Sequence, residues 1–435
     1  MIDIPNGYKQ TEVGVIPEDW EAVELGGHSE ITKLAGFEYS SHFNSYKDGG
    51  DIIVIRGTNI THNSLDLSDV KTIPRSTSDK LPRSKLKVGD LVFAYVGTIG
   101  PVFLIDKNNS YHLGPNTARI TCKVGLFPDF LFCYFRSDLI RKEITERIST
   151  GAQPSLSMTK IRAFRILKPT KAEQEAIAEA LSDVDALIES LEQLIAKKRH
   201  VKQGAMQELL TGKKRLPGFE TVGAIHELPL PNVPHGWVVK RLGDIGESLI
   251  GLTYKPSDVR SDGVLVLRSS NVFDGRLRFD DNVFVETEIP ERIMVRAGDI
   301  LICVRNGSRD LIGKCAKIDE QTQGMTFGAF MAVFRTSFHN FVYHQFQSDV
   351  IKRQIHEHLG ATINQITNKS LNSFQIPFPL DATEQTAIAA ILSDMDAEIA
   401  ALETKLAKTR SLKQGMMHNL LTGRLRLVDT REVSE

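Results

Sequence analysis

The sequence predicts an α+β chain: two globular α/β domains related by pseudo-two-fold symmetry, separated by two long antiparallel helices that form a coiled-coil spacer. Three observations predict it. One segment occurs twice, apolar residues recur every seven positions within each copy, and the stretches between are rich in short β-like runs divided by turn residues.

Residues 173–216 and 384–427 align without a gap and are identical at roughly 26 of 44 positions, far beyond what shared helical composition produces. The period is too long and the copies too few for a solenoid, so a whole module is duplicated. Weaker echoes extend upstream. Pro17-Glu18-Asp19-Trp20 followed by Leu25-Gly26 answers Pro234-His235-Gly236-Trp237 followed by Leu242-Gly243. Arg56-Gly57-Thr58-Asn59-Ile60 answers Arg268-Ser269-Ser270-Asn271-Val272, Val88-Gly89-Asp90-Leu91 answers Ala297-Gly298-Asp299-Ile300, and Gly151-Ala152 answers Gly360-Ala361. Between these anchors the copies differ almost completely. Residues that serve one partner twice stay alike, whereas residues that read two different targets do not; plain drift would spread the differences more evenly.

Each repeated segment reads as a helix. Ile177, Val184 and Leu191 form one seven-residue series, and Leu181, Ile188 and Ile195 the other. The second copy keeps the register with Ile388, Met395 and Leu402, and with Leu392, Ile399 and Leu406. Pro169-Thr170 and Pro379 mark the starts, and Leu-Thr-Gly at 210–212 and 421–423 the stops. A helix of about 40 residues is roughly 60 Å long, and one with an apolar stripe needs a partner, the obvious one being its own duplicate. Leu187, Leu194, Val201, Met206 and Leu209 widen the stripe, for a partner protein or for the globules themselves. The expected domains are 1–170, a spacer helix at 171–212, 213–381, a second spacer helix at 382–424 and a tail at 425–435.

The intervening segments are long enough for cores of their own. Strands are expected at 52–55, 91–96 and 102–105 in the first, and at 264–267, 300–304 and 331–334 in the second. One amphipathic helix per domain is expected, at 129–148 and 341–358.

Composition is that of an ordinary globular protein, 41% hydrophobic and 25% charged, which excludes a disordered or collagen-like chain. Lys+Arg 53 against Asp+Glu 54 leaves a formal charge of -1, so a nucleic-acid binder must gather its cations on one face. Cys122, Cys133, Cys303 and Cys315 include no C-x-x-C pair and read as small buried residues in a reducing cytosol, with no metal site. The N-terminus has no secretory or transit character and no stretch is long and apolar enough to span a membrane, so a cytoplasmic location without membrane contact is expected.

Taken together, Tyr8-Lys9, Gly14, Ile16-Pro17, Trp20, Gly89-Asp90, Gly151-Ala152-Gln153, Pro169, Glu173-Gln174 and Leu-Leu-Thr-Gly, in this order and roughly repeated, resemble the specificity subunit of type I restriction–modification systems. The likeness spans essentially the whole chain. It implies that each globule is a target-recognition domain, that the duplicated helices are the conserved regions, and that the partners are double-stranded DNA, two modification (methyltransferase) subunits and, for cleavage, restriction subunits. It implies a bipartite DNA site whose halves are separated by a spacer of fixed length. Two globules related by a dyad would read half-sites about one helical turn apart, roughly 34 Å. Between Trp20 and Glu173 lie six more residues than between Trp237 and Glu384, so the globules' loops are unequal. A scaffold binding proteins or small ligands through two globules is the alternative.

Catalytic signatures are missing. There is no Asp/Asn-Pro-Pro-aromatic tetrapeptide of an amino-group DNA methyltransferase and no glycine-rich dinucleotide loop. Gly307 to Cys315 departs from a phosphate loop in its glycine spacing and lacks the Ser/Thr for Mg²⁺; His356-Glu357-His358 lacks the zinc-protease spacing; Gly97 to Gly100 reads as a turn. No catalytic residue, cofactor or metal is expected.

Base readout needs Arg or Lys for guanine, Asn or Gln for adenine, and Ser or Thr for either. In the first domain the candidates are Arg56, Thr58 and Asn59, Arg75, Lys80, Arg83 and Lys85 on a basic loop, and Gln153. In the second they are Arg268, Ser270, Asn271, Arg305, Asn306, Arg309, Thr362, Asn364 and Gln365. Arg56 and Arg268 could equally pair inside their globules. The run Lys197-Lys198-Arg199-His200, echoed at Lys405, Lys408 and Arg410, suits either DNA phosphates, a partner's acidic surface or a solvated face.

Overall fold

The duplicated segments form one unbroken helix each, Lys171–Leu209 and Ala382–Leu421, in a computed structural model that describes residues 4–34, 36, 49–61, 64–149, 154–219, 234–359 and 364–428. The first helix starts where the Thr170 hydroxyl accepts the Glu173 amide at 3.4 Å, and the second where the Asp381 carboxylate accepts the Thr383 amide at 2.8 Å. Both end on the glycine of Leu-Thr-Gly. Gly212 and Gly423 each adopt φ 71, and beyond them Lys214 donates back to the Glu208 carbonyl at 3.3 Å and Leu425 to that of Asn419 at 3.1 Å. This is a C-terminal cap that only a residue without a Cβ enters freely.

The chain divides into two units, Met1–Leu191 with Lys405–Glu435, and Glu192–Thr404. Each contains one globule, the N-terminal half of the helix that follows it, and the C-terminal half of the other long helix, the two halves lying antiparallel. Lys413 pairs with Asp185 at 2.5 Å in the first unit and Lys202 with Asp396 at 2.6 Å in the second. These are the same two repeat positions with their helices exchanged.

The helix ends complete the globular cores. Ile177, Ala178, Leu181, Leu420 and Leu421 belong to the first core, around Trp20, Phe93, Phe130 and Phe164. Met206, Leu209, Leu210, Ile388 and Leu392 belong to the second, around Trp237, Phe334, Phe341 and Phe346. Of the residues that widen the stripe, Met206 and Leu209 are therefore buried against the second globule, whereas Leu187, Leu194 and Val201 are exposed. Of the heptad positions, Ile177, Leu181, Leu191, Ile195, Ile388, Leu392, Ile399 and Leu406 are buried, and Val184, Ile188, Met395 and Leu402 are half-buried.

Both globules are mixed helix and sheet on one plan. In the first, an antiparallel sheet runs in the order Ser29–Lys33, Thr117–Cys122, Leu91–Ala94, Val102–Leu104. In the second, the corresponding order is Glu247–Ile250, Met331–Arg335, Ile300–Cys303, Cys315–Lys317. The central strands Leu91–Ala94 and Ile300–Cys303 are wholly apolar and buried because both faces are covered. Ile52–Ile55 and Val264–Leu267 each anchor a further sheet that includes one parallel pairing. In the first unit Glu21–Glu24 pairs with Arg165–Lys168, and in the second Trp237–Arg241 pairs with Gln375–Pro379, closing each globule at the base of its own long helix.

The single helices expected at 129–148 and 341–358 are each two: Pro128–Phe135 with Asp138–Arg147, and His339–Gln347 with Asp349–His358. The break falls on Ser137 and Ser348. Each is extended, with its hydroxyl donating back to Tyr134 or Gln345, and an aspartate follows as the first residue of the next helix. The serine hydroxyl closes the helix before the break, and the aspartate's charge favours the first turn of the next, which together outweigh the continuous apolar pattern.

Candidate nucleic-acid interface

The repeated Arg-x-x-Asn builds one loop twice. The Asn59 side chain accepts the Arg56 amide at 3.3 Å and donates to the carbonyls of Asp66 at 3.2 Å and Asp69 at 2.8 Å. Asn271 does the same with the Arg268 amide at 2.9 Å and the carbonyls of Arg278 at 3.0 Å and Asp281 at 3.2 Å. Arg56 pairs with Asp69 at 3.1 Å and Arg268 with Asp281 at 2.9 Å. Both asparagines are buried and hydrogen-bonded throughout, so they hold the loop's shape from within. What each loop offers outward is its middle residue, Thr58 or Ser270, both exposed.

In the second globule this turn lies beside a polar cluster. Asn306 donates its amide to the Ser269 hydroxyl at 3.2 Å, and Lys314 binds the carbonyls of Ser269 and of Val272, the latter at 3.0 Å. Arg305 bridges Gln365 through the backbone, and Asn364 donates to the Gly307 carbonyl at 3.2 Å. Arg305, Asn306, Ser270, Asn364 and Gln365 are thus brought together around the 304–307 turn. Arg309 reaches the Leu359 carbonyl. Thr362, and Gln153 of the first globule, lie outside the described residues.

The sequence analysis does not single out Phe330. It is 56% exposed, and the Arg305 guanidinium lies 4.9 Å from its ring centroid. A phenylalanine at the end of a hydrophobic run reads as core; the signal available was that its neighbours Gly328 and Ala329 mark a turn.

In the first globule the basic stretch occupies the short helix Arg75–Asp79 and the turn Pro82–Ser84. Lys85 pairs with Asp79, Arg75 donates to the Asn109 carbonyl at 3.4 Å, and Lys80 and Arg83 are exposed. Among the described residues no hydrogen bond or ion pair joins this stretch to the Arg56–Asn59 loop.

The helix basic run is drawn into ion pairs. Lys198 meets Glu398 at 2.6 Å, and Arg199 meets Glu403 at 2.7 Å and Asp274 at 2.6 Å. Asp274 and Gly275 form the tip of the hairpin that continues from the Asn271 loop, and Tyr343 donates to the Gly275 carbonyl at 2.6 Å. The second globule's loop is thereby tied to the paired helices of its own unit. Elsewhere the four cysteines are unpaired, and burial pushes the Cys133 thiol up to about 11 and those of Cys122 and Cys315 up to about 12. No group of His, Cys, Asp and Glu suited to a metal occurs among the described residues, and no helix there is long and apolar enough to cross a membrane.

Residues 17–197 and 234–409 match the profile of the type I restriction modification DNA specificity domain. The chain is 27% identical over 452 residues to a protein of Methanocaldococcus jannaschii described as the type I restriction enzyme MjaX specificity subunit, covering 97% of each. It is 27% identical over 206 residues to the EcoKI specificity subunit of Escherichia coli, 44% of each chain. Among solved structures, the specificity subunit from M. genitalium superposes with TM-score 0.59 at 14% identity, over 96% of this chain and 98% of that one. A chain from a study of complex assembly and conformational transition of the type I R-M system superposes at 0.55 with 19% identity, over 94% and 99%. With its matched domain present twice on a duplicated α+β plan, the chain belongs to the type I restriction–modification DNA specificity family.

Proposed function

We propose that the chain is the non-catalytic DNA-recognition subunit of a type I restriction–modification complex. Each globule reads one half of an asymmetric bipartite site, and the long helices set the spacer and dock two modification subunits; restriction subunits join for cleavage. The relatives' names carry the general role. The observation that supports one reader per globule is the contrast within the duplication: both globules keep the same Arg-x-x-Asn loop and the same sheet order, yet differ in the side chains those frames present. Thr58 with the exposed basic residues Arg75, Lys80 and Arg83 serves the first half-site, and Ser270 with the 304–307 cluster the second. Phosphate contacts supply most of the affinity, so log K falls by about 0.9 per log unit of salt for each phosphate neutralised.

The test is retention of genomic duplex fragments by the full chain, alone and with the modification subunits, across a salt series. A salt-dependent subset, retained more strongly with the partner, is expected. Retention without sequence preference under every partner condition rejects the reading and favours a scaffold without DNA specificity.

A further inference from the structure

The two globules place opposite chemistry on one backbone frame. In the second, the amides of Val304 and Arg305 both donate to the Phe330 carbonyl at 3.1 Å, the Ile366 amide donates to the Val304 carbonyl at 2.8 Å, and Arg305 bridges Gln365. In the first, the Tyr95 amide donates to the Asn116 carbonyl at 3.1 Å, the Leu156 amide to the Tyr95 carbonyl at 3.0 Å, and Val96 bridges Ser155. Arg305 therefore stands where the first globule has Val96, and Phe330 where it has Asn116.

Among the described residues of the second globule an arginine lies over an exposed ring twice, Arg278 over Phe273 and Arg305 over Phe330. Arg278 is paired with Asp280, whereas Phe330, 56% exposed, lies under an arginine without such a partner. The guanidinium carbon of Arg305 lies over the ring, 4.9 Å from its centroid, and no carboxylate pairs with it among the described residues. Stacking of this kind fixes the side chain while leaving its fork of N–H donors free.

We infer that Arg305 and Phe330 form a single base-reading element of the second globule. The Arg305 fork takes N7 and O6 of a guanine in the major groove, and the exposed edge of Phe330 packs against the 5-methyl group of a thymine at the neighbouring step. Arginine paired bidentately with guanine and an apolar group against the thymine methyl are what base-edge chemistry favours. Asn306, fixed on the Ser269 hydroxyl, sets the element beside Ser270. Val96 has no donor for a guanine and Asn116 no apolar edge for a thymine methyl at the matching positions, so the first globule does not carry this element there. The inference rests on the DNA-recognition reading and adds which residues discriminate and which bases they select.

The experiment is selection from a randomised duplex library by the full chain in complex with modification subunits, followed by sequencing, for wild type, Arg305→Ala, Arg305→Lys and Phe330→Ala. Thermal unfolding confirms that each variant folds, as expected for exposed positions. Wild type should enrich a bipartite motif. Arg305→Ala should lose one guanine from one half-site, with discrimination there falling by about 5- to 150-fold. Arg305→Lys should keep much of the affinity but discriminate poorly, and Phe330→Ala should relax the adjacent thymine alone. If wild type enriches a motif and the variants return the same one, the inference is wrong. It is equally wrong if Arg305→Ala weakens all sequences alike and reduces the salt slope by about 0.9, since that marks a phosphate contact. If wild type enriches nothing, the DNA-recognition reading itself fails, and this inference with it.

Discussion

Replacing Glu384 by Gln should selectively destabilise the second unit. The Glu384 carboxylate is fully buried, accepts the Trp237 indole N–H at 3.1 Å and the Arg215 guanidinium at 2.8 Å, and sits in the first turn of the second long helix. Glutamine preserves shape and the indole bond. It removes the charge facing Arg215 and turns an amide donor toward a guanidinium that has only donors. Breaking one partner of a buried pair costs about 3–5 kcal/mol. The lower end applies because the Arg215 side chain keeps 14% of its exposure and can recruit water. About 3 kcal/mol lowers the melting temperature of a unit this size by roughly 6–12 °C. The chain has two tryptophans, one in each unit. In a Trp20→Phe background, fluorescence therefore reports Trp237 alone. Glu173 has the same place in the first unit, bonded to Trp20 at 2.7 Å and to Arg426. Glu173→Gln read through Trp20 in a Trp237→Phe background should behave as the mirror experiment. A Trp237 transition shifted by less than about 0.5 kcal/mol, the range of ordinary surface substitutions, would refute the reasoning.

Asp185 is shared by Lys413 and Arg136, the latter at 2.8 Å, so Asp185→Asn should cost about 2 kcal/mol; a double-mutant cycle with Lys413→Met in urea melts should show coupling. Gly423 combines φ 71 with a Cβ direction that meets the Pro17 ring at 2.5 Å, so Gly423→Ala should destabilise the first unit by about 2–4 kcal/mol by calorimetry, while leaving the second unchanged. Burial, followed by the nearby charges of Lys202 and Lys317, holds His344 down at about 3. Its folded value lies below the unfolded one near 6.5, so the stability it contributes is complete above pH 6.5 and is lost as pH falls toward 3, at up to about 1.4 kcal/mol per pH unit. His344→Gln should flatten the acid limb of the second unit's stability curve between pH 6.5 and 4.

Sequence reasoning reached the helices because a duplication this close preserves both the heptad period and the glycine stops. Leu-Thr-Gly is readable as a helix end since the left-handed cap has few alternatives to glycine. The paired breaks at Ser137 and Ser348 do not show in the periodicity, because the apolar pattern runs through both and only the Ser-Asp dipeptide marks them. Arg-x-x-Asn was visible as an echo, but not its use. Recurrence alone does not distinguish a residue that meets a target from one that shapes the loop, and the buried amides of Asn59 and Asn271 place them in the second group. The same applies to Gly89-Asp90 and Gly298-Asp299. These aspartates cap the turns before Leu91–Ala94 and Ile300–Cys303, with the Lys87 amide at 2.8 Å and the Arg296 amide at 2.9 Å. For Phe330 the Gly328-Ala329 turn is the readable signal, but its pairing with Arg305 emerges only once the strands carrying the two residues lie side by side.

One reader per globule is tested most directly by exchanging residues 1–165 for the matching segment of a relative and sequencing the methylated bases of a host that carries the chain with its modification subunits. The account predicts a two-part asymmetric motif in which one half changes and the other half stays as it was. A motif whose halves change together, or methylation without any sequence motif, would contradict it.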